Sequence, residues 1–160
     1  MIIVYIDAAN LHKESKSLGF KINYKNFIVW LRQKYKADKI YLFIGFIPKY
    51  KSLYKNLEGF GYILIFKETF EGVNGNVKGN CDAELVLKVC NDFYEKDINY
   101  FILVTGDGDF KCLVDFLIEN NSRVLLIAPN YKKFSALLKK SKSEVLDLND
   151  YYHKFSKLLK

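Results

Sequence analysis

Phe101-Ile102-Leu103-Val104-Thr105-Gly106-Asp107-Gly108-Asp109-Phe110 decides the fold. Its first residues are apolar without alternation, as in a strand covered on both faces. Two glycines then free the backbone for a sharp turn. Beyond them Phe110, Leu113, Val114 and Leu117 recur at helical spacing. A strand, a turn and a helix in that order make a βα unit, and carboxylates just past the strand's C-terminal end lie where α/β sheets place their chemistry.

The same arrangement recurs outward from this segment. Ile2-Ile3-Val4-Tyr5-Ile6 runs into Asp7, and Asp82 follows the Gly-rich stretch 72–79. Carboxylates gathered at one cleft repel by about 4 kcal/mol for a pair roughly 4 Å apart at an effective dielectric near 20. A cation must offset that repulsion, which points to a divalent metal and a phosphate-bearing substrate.

Five strand-like runs, at 2–7, 39–46, 61–67, 100–105 and 123–128, alternate with helical patterns. Helices are expected over 24–36, from Pro48 to about Leu57, from about Asp82, after Asp109 and after Pro129. Residues 143–148 suggest a short edge strand, and a last helix is expected from about Asp150, with Tyr151, Phe155, Leu158 and Leu159 at helical spacing. Repeated βα units imply a parallel sheet with right-handed crossovers. The expected fold is a three-layer α/β/α sandwich around a central, mainly parallel sheet of five or six strands. One domain is expected over 1–160, with a core over 1–148 and a C-terminal helix over 149–160.

Half of the 160 residues are apolar, so disorder is not the default. No signal peptide or membrane span is evident, because the apolar runs are strand-sized. Three cysteines (Cys81, Cys90, Cys112) without a CxxC spacing fit reduced thiols in a cytoplasmic protein rather than zinc or redox chemistry. The net charge of +7 is unevenly spread: 32–55 carries a local +6, 131–142 five lysines and no acid, and 80–120 a local −6. A basic surface around an acidic centre suits a polyanion with a metal beneath its scissile phosphate, although solvated helix faces give the same pattern.

Asp7 is placed to face the cleft, and Asn10 offers both an acceptor and donors for a ligand, a water or a phosphate oxygen. Each also has a structural role open to it, as a helix cap or a turn residue. Asp82 suits a metal as well as an N-cap, and Glu84 diverges from it by about 200° around a helix. Asp107 is the better metal candidate of its pair, with Asp109 partly a cap, and Thr105 can hydrogen-bond an acid or a water. Lys78 is placed to hold a phosphate. The stretch 72–79 lacks the Lys-Ser/Thr ending of a phosphate-binding loop, and 105–110 lacks the later ligands of a calcium loop. His12 and His153 read as surface residues. Tyr50 and Tyr54, among Lys49, Lys51 and Lys55, are the aromatics best suited to base stacking.

Together, Val4-Tyr5-Ile6-Asp7-Ala8-Ala9-Asn10-Leu11, Lys78-Gly79-Asn80-Cys81-Asp82-Ala83-Glu84-Leu85 and Val104-Thr105-Gly106-Asp107-Gly108-Asp109-Phe110 resemble the three motifs of the NYN domain. This branch of the PIN-like nuclease superfamily includes the LabA-like and DUF88 proteins. Ala8-Ala9 replaces a turn that often contains Gly, and Thr105 stands where Ser is commoner. The resemblance implies a metal-dependent ribonuclease using Mg²⁺ or Mn²⁺. It carries catalytic roles onto Asp7, Asn10, Asp82, Asp107 and Asp109, with the four aspartates as metal ligands. Lys78, Thr105, Lys49, Lys132 and Lys133, with Asn10, are the candidate contacts to a single-stranded or structured RNA. Self-association is left open. Two rivals remain: a non-catalytic RNA-binding or assembly module, and a haloacid-dehalogenase-like phosphatase. The second is disfavoured because Ala9 occupies the position of its second aspartate.

Overall fold

A computed structural model of the chain describes residues 1–68, 70–71, 77–78 and 80–159. Six parallel strands form the central sheet: β1 (Ile2–Asp7), β3 (Lys39–Phe46), β4 (Ile63–Glu68), β7 (Tyr100–Val104), β8 (Val124–Ala128) and β9 (Glu144–Asp147). Their spatial order is β4-β3-β1-β7-β8-β9. The chain therefore builds one half-sheet outward from β1, then crosses over and builds the other from β7. The switch point lies between β1 and β7, which pair Ile2 with Tyr100 and Ile6 with Val104.

Alternate residues of these uninterrupted apolar strands feed two separate cores. Val4, Ile6, Ile40, Leu42, Ile102 and Val104 pack on one face under α1 (Ala8–Ser17), α2 (Tyr24–Tyr35) and α3 (Lys51–Phe60). Ile3, Tyr5, Phe43, Phe101 and Leu103 pack on the other under α4 (Asp82–Glu95) and α5 (Lys111–Glu119). The central strands β1, β7 and β8 are buried on both faces, which is why they carry no polar alternation. The expected three-layer architecture and mainly parallel sheet are thus present, and 144–147 form the expected edge strand. α6 (Ala136–Lys139) is a single short turn after the Tyr131–Lys133 3₁₀ turn, so Phe134 precedes the helix rather than belonging to it.

Two small ladders lie outside these expectations. β5 (Phe70–Glu71) pairs antiparallel with β6 (Val77–Lys78), while residues 72–76 between them, and 79, lie outside the described residues. β2 (Phe20–Ile22) pairs antiparallel with β10 (Ser156–Leu158). The expected C-terminal helix is therefore corrected: 3₁₀ turns at Leu148–Asp150 and Tyr152–Lys154 lead into a strand. Tertiary packing overrides the helical spacing. Tyr152 stacks on Phe20 with centroids 4.8 Å apart, Phe155 tilts against Trp30 and Phe27, and both are buried. Among the described residues no helix is long and apolar enough to cross a membrane.

Candidate metal centre

β1 ends at Asp7, whose backbone is still extended, so its carboxylate projects beyond the sheet. It has both roles that the sequence offers it. Asp7 Oδ1 accepts the Asn10 N–H at 3.2 Å and so caps α1, while Asp7 Oδ2 accepts the Thr105 hydroxyl at 3.0 Å. The Ala9 backbone also bonds this carboxylate, which still keeps lone-pair capacity for a further ligand. Across the switch point, the Asp107 N–H donates to Thr105 Oγ1 at 3.2 Å, and Asp107 Oδ1 accepts the Asp109 N–H at 2.9 Å. The Gly106 N–H donates to Asn10 Oδ1 at 2.8 Å. These bonds lock the ends of β1 and β7 into one rim.

α4 brings the third carboxylate. Cys81 is its N-cap residue and makes no side-chain cap bond, and the Asp82 carboxylate in the first turn accepts no hydrogen bond among the described residues. Single oxygens of Asp7, Asp82 and Asp107 lie within 4.8 Å of one another, the first group buried and the other two half-buried. Three such anions repel by roughly 3 kcal/mol per ionised pair at an effective dielectric near 20. Burial raises the Asp7 carboxyl, against the hydrogen bonds from Asn10 and Thr105, and the neighbouring Asp107 raises it further. Asp82 is pushed up to about 6 by burial, then by Asp7, Asp107 and Asp109.

A donor set of carboxylate oxygens alone, without sulfur or imidazole, fits a hard divalent ion such as Mg²⁺ or Mn²⁺. Its span is close to the ~4 Å across an octahedral site with bonds of about 2.1 Å. Cys81 does not compete as a ligand or nucleophile, because burial, and next the Glu84 charge, push its thiol up to about 11.

The other sequence candidates divide. Asp109 is exposed and outside the carboxylate group, and Asp107 rather than Asp109 caps the turn that follows. Thr105 is 1% exposed, so its hydroxyl orients Asp7 and does not reach a substrate, which corrects the expectation of direct contact. Asn10 spends its carbonyl on Gly106, and its amide nitrogen has no hydrogen bond among the described residues. Tyr54 is 5% exposed, its hydroxyl accepting the Ile47 N–H and donating to the Gly45 carbonyl, so it belongs to the core and not to a base-stacking surface. Tyr50 is exposed, with Lys49 Nζ 5.1 Å from its ring centre. Lys132 and Lys133 are exposed in the turn before Phe134 and Ser135, and the Ser135 N–H donates to the Gly106 carbonyl at 3.1 Å. The Lys78 side chain lies outside what is described.

Two features escape the sequence. Gly108 matters for space rather than for backbone freedom: a Cβ there would collide with Ser135 Oγ, which caps α6. Lys67, at the end of β4, is 3.9 Å from Glu84, and its charge partly offsets the rise at Asp82. Its signal in the sequence is its place at the C-terminal end of a strand-like run, where it reads only as a boundary.

The Asp82 shift sets a pH dependence. Its folded value of about 6 exceeds an unfolded value of about 4, so the folded chain holds a proton that the unfolded chain releases. That stabilisation is complete below about pH 4 and is lost as pH rises through about 6. In EDTA, Asp82→Asn should therefore gain melting temperature over wild type as pH rises from 4 to 7. A constant difference across that range would contradict the coupling.

An α/β fold with carboxylates converging at its switch point is the nuclease-like architecture of the PIN type. Comparison with known families finds the NYN domain over residues 1–149, and the chain belongs to that family. Among solved structures it is similar to VPA0982, a protein of unknown function from Vibrio parahaemolyticus. The two share 21% identity at a TM-score of 0.73, over 98% of this chain and 95% of that one, a likeness of fold. A PLP-bound protein from Clostridium difficile named for aminotransferase activity covers 75% of this chain and 40% of its own, at 12% identity. Its TM-score of 0.22 carries no argument. No curated protein matches.

Proposed function

We propose that this chain is a Mg²⁺- or Mn²⁺-dependent endoribonuclease of the cytoplasm, hydrolysing phosphodiester bonds in RNA. The observation that carries the reading is the convergence of Asp7, Asp82 and Asp107 within 4.8 Å at the switch point. These three would hold the ion, and Asp109 would act on it through water. Once bound, the ion supplies an activated water and offsets charge on the phosphate during in-line displacement. Thr105 and the Asn10 N–H keep Asp7 from rotating away from its partners. The free Asn10 amide is placed to orient a phosphate oxygen. Lys49, Lys132, Lys133 and Lys78 supply basic contacts to the strand, and Lys67 adds a cation beside Asp82. Residues 1–160 would work as one unit.

Purified protein incubated with end-labelled single-stranded and structured RNA should cleave in Mn²⁺ or Mg²⁺ and be silent in EDTA. Binding without cleavage in any divalent metal would identify a non-catalytic module instead. Mn²⁺ at about a hundredfold over its Kd should raise folding stability by about 2.7 kcal/mol. Asp107→Asn should lose most of that gain in a thermal melt.

A further inference from the structure

Two contiguous hollows lead away from the carboxylates on the α1 side of the sheet. The first encloses about 330 Å³, with Asp7, Ala9, His12, Leu42, Ile47 and Leu57 among its walls. The second, about 460 Å³, is bordered by Lys16, Phe20, Lys21 and Leu159. His12, Tyr24 and Leu53 line both and form the sill between them. We propose that this double hollow is a base-binding track, receiving successive unpaired nucleobases on one side of the scissile phosphate. The proposal rests on the nuclease reading above and adds to it the side on which the strand runs and the residues that read it.

Continuity with the carboxylates is the first support. Asp7 belongs to the metal-binding group and also lines the first hollow, so a base seated there carries its phosphate at the carboxylates. Chemistry of the walls is the second. Ile44 and Ile47 present partly exposed apolar surface over the buried Leu42 and Leu57, which suits the flat face of a base, while His12 and Asn80 add polar groups at its edge. Leu53 is a large apolar side chain left 45% exposed on the sill, and His12 beside it is exposed. Each hollow falls within the ~300–1,000 Å³ of small-ligand sites.

Charge along the rims is the third support. Lys16 and Lys21 border the second hollow, are exposed, and form no ion pair among the described residues. Lys49 and Lys51 flank the first, on the segment carrying Ile47 and Leu53. Apolar hollows between lysines are the pattern that takes a single strand, with bases inward and backbone outward. A duplex, whose base faces are already stacked, would not enter. The C-terminal strand helps to shape this groove: the Leu159 N–H donates to the Gly19 carbonyl at 2.7 Å, setting Leu159 at the edge of the second hollow.

Anisotropy of a fluorescent single-stranded RNA in EDTA tests the track without turnover. Leu53→Glu and His12→Ala should each weaken binding about tenfold. The double variant Lys16→Glu, Lys21→Glu should also lower the slope of log affinity against log salt by roughly 1.4, two phosphate contacts fewer. A blunt duplex should compete poorly. Unchanged strand affinity in all three variants would overturn the track, and metal-dependent cleavage by wild type would then leave the nuclease reading standing. Loss of affinity in the variants with no cleavage by wild type in any metal would do the reverse. Equal affinity for a mononucleotide and the strand would also overturn the track, in favour of a closed nucleotide pocket. Should Leu53→Glu melt early, the lysine pair, which lies on the surface, still decides the matter.

Discussion

Asp107→Asn is expected to lower metal-dependent RNA cleavage on the order of 10³-fold, and Asp7→Asn by a similar factor, while strand binding persists. Asparagine keeps the shape of the side chain and an oxygen that can accept the Asp109 N–H, as Asp107 Oδ1 does at 2.9 Å. What is lost is a charge on one of three oxygens lying within 4.8 Å of one another. The remaining pair holds a divalent ion more weakly, and charge stabilisation worth several kcal/mol disappears from the transition state. Asp7→Asn is the less clean change, because its amide would face a Thr105 hydroxyl that already accepts the Asp107 N–H. Asp109→Asn provides the internal comparison. Standing outside the carboxylate group, it should lose much less, about tenfold, as expected of a residue acting through water. Rates measured in Mn²⁺, with calorimetric titration of the ion in each variant, separate lost binding from lost chemistry. Wild-type rates in both Asp7→Asn and Asp107→Asn would dismiss the centre altogether.

How much of this was legible in the chain follows from where the information is local. Strands β1, β3, β7 and β8 announce themselves because both faces are buried and the apolar runs are unbroken. Asp7 and Asp107 are legible for the same reason, since a carboxylate just past such a run has one place to go. The spacing Asp107-Gly108-Asp109 favours Asp107 as the ligand but does not fix how the turn orients the pair. That is settled by the Asp109 backbone bonding to Asp107, a matter of one turn's geometry. Asp82 likewise depends on Cys81 taking the N-cap position. The aromatic spacing of the C-terminal segment suits a helix, whereas Trp30, Phe27 and Phe20 supply a docking site visible only in three dimensions. β2 has three residues, too few to show any period. Asp92, flanked by Lys88 and Lys96 at helical spacing, carries no local sign in the sequence of its burial.

Asp92 is wholly buried in the last turn of α4, and it joins that helix to the strand that ends in Asp7. The Tyr5 hydroxyl donates to Asp92 Oδ2 at 2.9 Å, while Lys88 and Lys96 approach Asp92 Oδ1 at 3.0 and 2.5 Å. Burial alone would raise this carboxyl, but the hydrogen bonds from Lys96, Lys88 and Tyr5 hold it below its usual range. Burial and then the Asp92 charge push the Tyr5 hydroxyl upward, so it remains a donor at physiological pH. Asp92→Ala breaks all three contacts at once and leaves a buried hydroxyl unpaired, a cost of roughly 3 kcal/mol. For a chain of this size that corresponds to a fall in melting temperature of about 6–12 °C. Tyr5→Phe removes only one hydrogen bond and should cost nearer 1 kcal/mol. The double variant should then be about 1 kcal/mol more stable than the sum of the two changes predicts, since the lost hydrogen bond is counted twice. The consequence for the site is more specific than the loss of stability. Tyr5 lies two residues before Asp7, and Asp82 opens the helix that Asp92 anchors, so this bond fixes one carboxylate against the other. Asp92→Ala should therefore weaken Mn²⁺ binding under conditions where the variant is fully folded, with Asp7 and Asp107 untouched. Unchanged Mn²⁺ affinity in the folded variant would mean that Leu85 and Val89, packed in the core beneath α4, position Asp82 on their own.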